Sequence, residues 1–273
     1  MSRIEKALEN ALRQREPSPA LEPLQSNDPA MEALKPTNPN IIGFDDQLAP
    51  IAEEYKKLRS MILQMTKRKE NHNTIMVTSA ESGEGKSLTA INLALVLAQE
   101  YNHTVLLIDA DLRRPSLQTY LGLEPGLGLT DCLFDGIDVS QALIKAGTPK
   151  LSFLGAGRKA SNPAELLSSN KMKSIVHELK SRYRDRYIII DTPPVLAFAE
   201  THVMSSYVDG VLFVVKEGVA SSSVHAALDI LNIGNVLGIV FNNASAERLQ
   251  GRYSHYYHYY YDQRRGETKE TKG

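Results

Sequence analysis

The stretch 75–93 constrains the fold of this chain more than any other part of the sequence. It begins with a short apolar run typical of a strand, turns through small residues, and continues as the apolar pattern of a helix. The turn has the spacing Ala80-x-x-x-x-Gly85-Lys86-Ser87, which is that of a phosphate-binding loop with Ala80 in place of the usual first glycine. The flanking strand and helix favour this motif over a Gly/Ser-rich turn that matches by chance.

Each part of this loop has chemistry suited to a bound nucleotide. Glycines let backbone N–H groups turn inward toward phosphate oxygens, and the following helix presents the positive end of its dipole. The Lys86 ammonium is a point charge for phosphate, and the Ser87 hydroxyl can ligate Mg²⁺. The predicted nucleotide contacts of this stretch are Gly83, Glu84, Gly85, Lys86, Ser87 and Leu88.

The remaining pattern predicts an α/β protein. Apolar strand-like runs alternate with helical patterns, which favours a mostly parallel P-loop NTPase sheet with helices on both faces. Residues 139–146 are predicted to form a short helix. The strands expected after the loop cover 104–108, 151–154, 187–190, 211–215 and 238–241.

Three carboxylates follow two of these strands. Asp109 and Asp111 come at the end of 104–108, and Asp191 closes 187–190. Parallel sheets bind ligands at the carboxyl ends of their strands, so these side chains are expected at a ligand site. Asp191 is the expected metal-side carboxylate of a nucleotide hydrolase or kinase.

Composition excludes several classes of protein. The net charge of −1 over 273 residues gives no indication of a nucleic-acid partner. Cys132 is the single cysteine, which excludes an internal disulfide and a cysteine-rich zinc site. No apolar run approaches the ~20 residues of a membrane span, and the N-terminus lacks the apolar core of a signal peptide. We therefore expect a soluble, cytoplasmic protein that reaches a membrane only through a partner.

The chain is expected to divide into a leader and linker (1–48), a nucleotide-binding domain (49–250) and a tyrosine-rich tail (251–273). Residues 2–15 have the apolar spacing of an amphipathic helix, which either docks on a partner or is a frayed leader. Residues 16–40 contain six prolines among polar residues and are predicted to be a linker, not a packed element.

The tail contains half of the twelve tyrosines of the chain and no aliphatic residue among them. It is predicted to be a mobile, low-complexity segment, since no hydrophobic periodicity supports a core element. Clustered tyrosines of this kind are phosphate acceptors, a sticky aromatic surface or a stacking platform for single-stranded nucleic acid. The six are Tyr253, Tyr256, Tyr257, Tyr259, Tyr260 and Tyr261.

Three motifs resemble the nucleotide motifs of bacterial tyrosine kinases, the cytoplasmic autokinases of polysaccharide export. They are a Walker A motif at 80–87, a Walker A′ motif at 105–113 and a Walker B motif at 188–194. The Asn-Pro-Ala-Glu-Leu-Leu segment at 162–167 and the tyrosine cluster match the same family, so the similarity covers residues 50–262. The opening Met-Ser-Arg-Ile-Glu-Lys-Ala-Leu resembles the subgroup found beside exosortase-type polysaccharide loci.

The resemblance implies that ATP and Mg²⁺ serve to phosphorylate the tail tyrosines, between neighbours in a ring of identical chains. It also implies a membrane chain-length regulator as activator, a cognate tyrosine phosphatase, and a place at the inner face of the plasma membrane through a partner. By motif position, Lys86 holds phosphates, whereas Ser87 and Asp111 hold Mg²⁺. Asp109 assists deprotonation of the tyrosine hydroxyl or organises the metal, and Asp191 acts through Mg²⁺-bound water.

Two further features carry over from the family. Asn242 ends a strand and resembles the adenine-contacting position of related ATPases. In the helical pattern 51–69, Glu53, Lys56 and Arg59 are spaced to lie along one side, which composition alone would leave as a solvated face. These three fall on the family's Glu-x-x-Arg-x-x-Arg ring contact. Lys56 replaces the first arginine and lacks its bidentate fork, which weakens the predicted assembly.

Two rivals use the same scaffold. A positioning or partitioning ATPase of the MinD/ParA type usually carries a second lysine early in the loop, where this chain has Glu81. That difference and the tyrosine tail favour the kinase. The second rival is a non-enzymatic module that keeps nucleotide as a structural switch, against which the intact lysine, serine and carboxylates argue.

Overall fold

The computed structural model describes residues 31–43, 48–66, 72–182, 185–231 and 233–245. The predicted leader helix 2–15 and the predicted tail 251–273 lie outside these described residues. Within the described ranges, no helix is long and apolar enough to cross a membrane.

The strands are β1 (Met31–Glu32), β2 (Thr74–Ser79), β3 (Thr104–Asp109), β4 (Leu143–Ala146), β5 (Leu151–Leu154), β6 (Arg186–Asp191), β7 (Gly210–Lys216) and β8 (Val236–Asn242). They form one sheet in the order β1-β4-β5-β3-β6-β2-β7-β8. β4 pairs antiparallel with β5, and every other neighbouring pair is parallel. The mostly parallel sheet predicted from the sequence is confirmed.

The helices are α1 (Ala49–Thr66), α2 (Lys86–Ala98), α3 (Leu117–Leu121), α4 (Leu129–Asp135), α5 (Val139–Ala142), α6 (Pro163–Leu167), α7 (Asn170–Arg182), α8 (Ala199–Ser205) and α9 (Ser221–Ile230). A 3₁₀ turn, Ile233–Asn235, precedes β8. α1, α2 and α3 pack on one face of the sheet, and α4, α7, α8 and α9 pack on the other.

The central strands are mostly apolar, which fits their position between helices on both faces of the sheet. Val105 and Leu107 of β3 belong to the core on the α2 side, whereas Leu106 and Ile108 belong to the core on the α7 side. All four side chains are fully buried. Alternate residues of a strand point to opposite faces, so a continuous apolar run is what a doubly covered strand requires.

The segment 139–146, predicted to be a helix, divides into two elements. α5 covers its first half, but its second half is strand β4. Leu143, Ile144 and Lys145 pair with Leu154, Phe153 and Ser152 of β5. Pairing with a distant strand thus overrides the local helical pattern, and the second half of the predicted helix is wrong.

Part of the predicted linker is packed against the domain, and we call residues 31–42 the N-terminal strap. Its first two residues form β1 on the edge of the sheet, and Ile41 and Ile42 are 1% and 2% exposed. The Asn92 side chain of α2 accepts a hydrogen bond from Ile42 N at 3.1 Å and donates one to Asn40 O at 3.1 Å. The prediction of an unpacked linker is therefore wrong for the strap.

The carboxyl ends of the central strands meet at one edge of the sheet. Asp109 at the end of β3 is the register partner of Asp191 at the end of β6. β6 also pairs with β2, which leads directly into the loop 80–85. The fold therefore places the phosphate-binding loop beside both carboxylates, as parallel strand topology requires.

Candidate active site

The loop between β2 and α2 has the backbone conformation of a phosphate cradle. Gly83 and Gly85 have φ angles of 82° and 91°, in the left-handed region that favours glycine. Lys86 and Ser87, both largely buried, form the first turn of α2. The first N–H groups of a helix have no partner within the helix, so this loop is suited to an anion, and its phosphate contacts stay a prediction.

The structure brings the predicted carboxylates together around the loop lysine. Lys86 Nζ lies 2.8 Å from Asp111 Oδ2, 3.6 Å from Asp191 Oδ1 and 3.2 Å from Ser87 Oγ. Burial lowers the pKa of Lys86, but Asp191 and Asp111 more than offset this and hold that pKa above its usual value. A charged lysine therefore neutralises part of the negative charge of the cluster.

Asp109 is held by the backbone on both oxygens. Its Oδ2 accepts hydrogen bonds from Ser116 N and Leu117 N at 3.0 Å, and its Oδ1 accepts one from Asp111 N at 3.3 Å. Burial, together with the nearby Asp191, raises the pKa of Asp109 to about 8. Asp109 is fully buried, so these contacts favour the organising role over proton transfer from an incoming tyrosine.

Asp191 is a buried carboxylate with hydrogen-bonding capacity that the described residues leave unused. Neither of its oxygens accepts a hydrogen bond from the described part of the chain. Burial raises its pKa to about 6, which means that the charged form lacks sufficient compensation within the protein. A buried carboxylate in this condition is suited to a cation or to metal-bound water.

The donor set fits Mg²⁺ held mainly by a nucleotide. Across the described ranges, no three acidic, histidine or cysteine side chains are grouped so that they could hold a metal by themselves. Mg²⁺ usually takes one or two protein ligands and completes its shell with substrate phosphates and water. The Ser87 hydroxyl and the Asp111 carboxylate, which meet at Lys86 Nζ, are residues of that kind.

Glu84 in the loop and Asn242 at the end of β8, both predicted nucleotide contacts, are hydrogen-bonded within the protein. Asn242 Nδ2 donates to Glu84 O at 2.8 Å. The Glu84 carboxylate is 1% exposed and accepts hydrogen bonds from Glu81 N at 2.6 Å and Lys216 N at 3.1 Å. Its motif position gave no signal of these contacts, because their donors include a backbone group on distant β7.

The predicted oligomer contact on α1 does not form a single exposed face. Lys56 Nζ pairs with Glu53 Oε1 at 2.5 Å, and both side chains are exposed. Arg59, however, points into its own chain, where Nη1 donates to Val96 O at 2.9 Å and Nε lies 3.0 Å from Glu100 Oε1. Only 17% of the Arg59 side chain is exposed, so this residue anchors α1 on α2.

Arg113, which lies within the Walker A′ motif, has a role that the sequence did not predict. Its Nε is 2.6 Å from Oε1 of Glu200, a carboxylate that is 1% exposed, and its guanidinium lies 4.3 Å from the Phe198 ring centroid. This ion pair ties the segment after β3 to the segment after β6. The arginine in the motif was a signal, but its partner could be identified only from the fold.

The fold and the site together define a P-loop ATPase domain. A family model described as an AAA domain matches residues 72–231. Among curated proteins, the tyrosine-protein kinase YwqD of Bacillus subtilis is 38% identical over 66% of this chain and 74% of its own length. The tyrosine-protein kinase CpsD of Streptococcus agalactiae serotype Ia is 32% identical over 65% of this chain and 76% of its own. The chain belongs to the bacterial tyrosine-protein kinase family.

Solved structures agree with this assignment. The kinase domain of the Escherichia coli tyrosine kinase ETK matches with a TM-score of 0.64 and 27% identity, over 71% of this chain and 77% of that chain. A MinC:MinD complex from Aquifex aeolicus matches with a lower TM-score of 0.51 and 26% identity, over 62% and 67%. The kinases are thus the nearer neighbours, and the MinD-like protein shares the scaffold.

Proposed function

We propose that this chain uses ATP and Mg²⁺ to phosphorylate the tyrosines of its own C-terminal tail. The observation that carries the proposal is the cluster at Lys86, where two carboxylates and a serine hydroxyl meet at the phosphate-binding loop. Family membership favours tyrosine as the acceptor over water. The proposed acceptors are Tyr253, Tyr256, Tyr257, Tyr259, Tyr260 and Tyr261.

The protein residues position charge rather than form covalent bonds. In phosphoryl transfer the tyrosine oxygen bonds to the γ-phosphorus, the β–γ bridging oxygen leaves with ADP, and the phenol proton passes to solvent. Mg²⁺, when bound, neutralises charge that develops on the phosphate oxygens. Lys86 would hold phosphate oxygens, Ser87 and Asp111 would hold Mg²⁺, and Asp191 would act through water bound to that metal. Asn242 contacts the adenine at the other end of the nucleotide.

The proposed mode of action is transfer between neighbouring chains. A tail can reach a neighbour because extended chain spans up to ~3.3 Å per residue. Each phosphate adds roughly −1.5 to −2 charges, so modified tails would repel one another and the carboxylate cluster. We propose that unphosphorylated chains form a ring through the exposed Glu53–Lys56 side of α1 and that phosphorylation dissolves it. A cognate phosphatase would restore the ring.

We further propose that the chain regulates the length or export of an exopolysaccharide. A membrane chain-length regulator would activate it and hold it at the inner face of the plasma membrane. The support is membership of the kinase family together with the polysaccharide-locus resemblance of the opening residues. The membership of the exosortase-associated subgroup stays a prediction.

The test of the activity is incubation of the full chain with γ-labelled ATP and Mg²⁺. We expect phosphotyrosine, with label lost when all six tail tyrosines are changed to phenylalanine and mostly kept after any single change. Tyr101→Phe is the matched control, because Tyr101 is 93% exposed on the folded domain. Release of free phosphate alone would support the positioning ATPase instead.

Transfer between chains can be tested by mixing two variants. One carries Lys86→Met with an intact tail, and the other carries an intact site with the six tail tyrosines replaced. Label on the Lys86→Met chain supports transfer in trans. Label found mainly on Tyr55, Tyr101 or Tyr120 would refute the tail model.

A further inference from the structure

The Glu84 side chain lies within the phosphate-binding loop but is fully engaged by the protein backbone. Its Oε1 accepts a hydrogen bond from Glu81 N, at the start of the loop, and its Oε2 accepts one from Lys216 N, the last residue of β7. The side chain is 1% exposed. The carboxylate therefore spans from the loop to the end of a strand that lies far away in sequence.

The backbone of the same residue is tied to the next strand. Glu84 O accepts a hydrogen bond from Asn242 Nδ2 at 2.8 Å, and Asn242 is the last residue of β8. A Cβ added to Gly85 would lie 2.0 Å from that Nδ2, so the loop and the asparagine are in direct contact. Lys216 and Asn242 are register partners, so both ties end at the same point of the sheet edge.

A negatively charged carboxylate beside a phosphate site is unfavourable, because it repels the phosphate. It is explained if both of its oxygens are needed as hydrogen-bond acceptors. Among the described residues, no basic side chain forms an ion pair with Glu84. A buried charge without a cation must be stabilised by hydrogen bonds alone, here from two backbone N–H groups. Glutamine has the same length but would place a donor against one of those N–H donors.

We propose that Glu84 is a positioning residue that clamps the phosphate-binding loop to the carboxyl ends of β7 and β8. The clamp holds the loop in its binding conformation before the nucleotide arrives. It also fixes the distance between the phosphate end of the site and Asn242, the proposed adenine contact. The inference rests on the proposed function for its kinetic readout, but nucleotide binding by itself tests it as well.

The consequence is a specific pattern in the kinetics of Glu84→Gln. Without the clamp, part of the binding free energy of the nucleotide would be used to order the loop. We expect KM for ATP and Kd for ADP to rise about tenfold or more, because hydrogen bonds to a charged acceptor are lost. We expect kcat at saturating ATP to change less than about threefold, since Glu84 does not contact the transferred group.

Glu81→Gln is the matched control. It removes the same charge from the same loop, but its side chain is exposed and its backbone N–H remains available to Glu84. We expect its ADP affinity to match that of the parent. Asn242→Ala supplies a second variant, which removes the backbone tie to Glu84 O together with the proposed adenine contact. In a double-mutant cycle, Glu84→Gln and Asn242→Ala should raise the ADP Kd by less than the product of their separate effects.

Calorimetric titration of the full chain with ADP tests the clamp independently of tyrosine phosphorylation. Weaker ADP binding in Glu84→Gln, with parental affinity in Glu81→Gln and a non-additive cycle, supports the clamp. Unchanged ADP affinity together with a lower melting temperature would show that Glu84 serves only stability and would overturn it. A fall in kcat with KM unchanged would also overturn it. If Glu84→Gln does not fold, binding of tripolyphosphate to Asn242→Ala is measured, because this probe lacks the adenine that Asn242 is proposed to contact. Parental tripolyphosphate affinity would refute the clamp, and weaker binding would support it.

Discussion

Lys86 Nζ lies 2.8 Å from Asp111 Oδ2, and the two side chains are 10% and 6% exposed. The lysine that is proposed to hold phosphate is thus also the cation that compensates a buried carboxylate cluster. Because both roles fall on one atom, we expect nucleotide binding to rearrange the charges around Lys86. The first prediction follows from this double role.

Lys86→Met should reduce tail phosphorylation by on the order of a hundredfold or more, since a charge that stabilises the transferred phosphoryl group is lost. It should also lower the free energy of unfolding by about 3–5 kcal/mol, because Asp111 and Asp191 lose their buried partner. Labelling and urea denaturation measure the two effects. Lys171→Met, at an exposed lysine of α7, should change neither. Parental labelling in Lys86→Met would remove this residue from the site.

Asp191→Asn should separate activity from stability. We expect tyrosine phosphorylation to fall by on the order of a hundredfold or more, because the metal-side carboxylate is removed. The free energy of unfolding without Mg²⁺ should not decrease at pH 7, since burial and Asp111 raise the pKa of Asp191 to about 6 despite its contact with Lys86, so the charged form is unfavourable in the folded state. Asp185→Asn is the matched control. Asp185 is exposed and directly precedes β6, at the other end of the strand from Asp191. Normal activity in Asp191→Asn would contradict the proposed role.

The α1 contact can be tested without disturbing the fold. Glu53→Ala with Lys56→Ala should lower the mass of the unphosphorylated oligomer measured by light scattering, and should slow transfer between chains. Glu54→Ala with Lys57→Ala is the matched control, because this pair has the same i, i+3 spacing and similar exposure on the same helix. Equal masses for both double variants and the parent would mean that the Glu53–Lys56 side of α1 is merely solvated.

Arg59→Ala should behave differently from those surface changes. Its hydrogen bond to Val96 O and its ion pair with Glu100 attach α1 to α2. We expect a loss of about 1–3 kcal/mol in the free energy of unfolding. Thermal or urea denaturation measures it, with Lys57→Ala as the control. Parental stability would show that Arg59 does not anchor α1 on α2. Arg59 would then again be a candidate for the oligomer contact.

Asn92→Ala should loosen the N-terminal strap. The Asn92 side chain is 1% exposed and bonds both Ile42 N and Asn40 O. Leaving a buried N–H without an acceptor costs about 1–3 kcal/mol, so the free energy of unfolding should fall by that amount. Gln99→Ala, at the exposed end of α2, should change it by less than about 0.5 kcal/mol. Equal stability of the two variants would mean that the two hydrogen bonds of Asn92 to the strap contribute nothing.

The parts of this protein that the sequence predicts correctly are those encoded by neighbouring residues. The loop around Lys86 is continuous in sequence, and its glycines, lysine and flanking apolar runs can be interpreted without knowledge of the rest of the chain. The strands ending at Asp109 and Asp191 are also local patterns. Because carboxyl ends of parallel strands share an edge, their proximity follows from topology alone.

The sequence alone determined the P-loop scaffold and nominated the residues of the candidate site, whereas the tertiary structure decided which groups their side chains contact. Glu84 reaches β7, and Arg59 turns inward to α2, because the partners of each lie far away in sequence. β4 and the strap likewise depend on distant groups, with β4 pairing to β5 and the strap bonding to Asn92. Local pattern sets periodicity, but hydrogen bonds and burial across the fold select among the conformations that it permits.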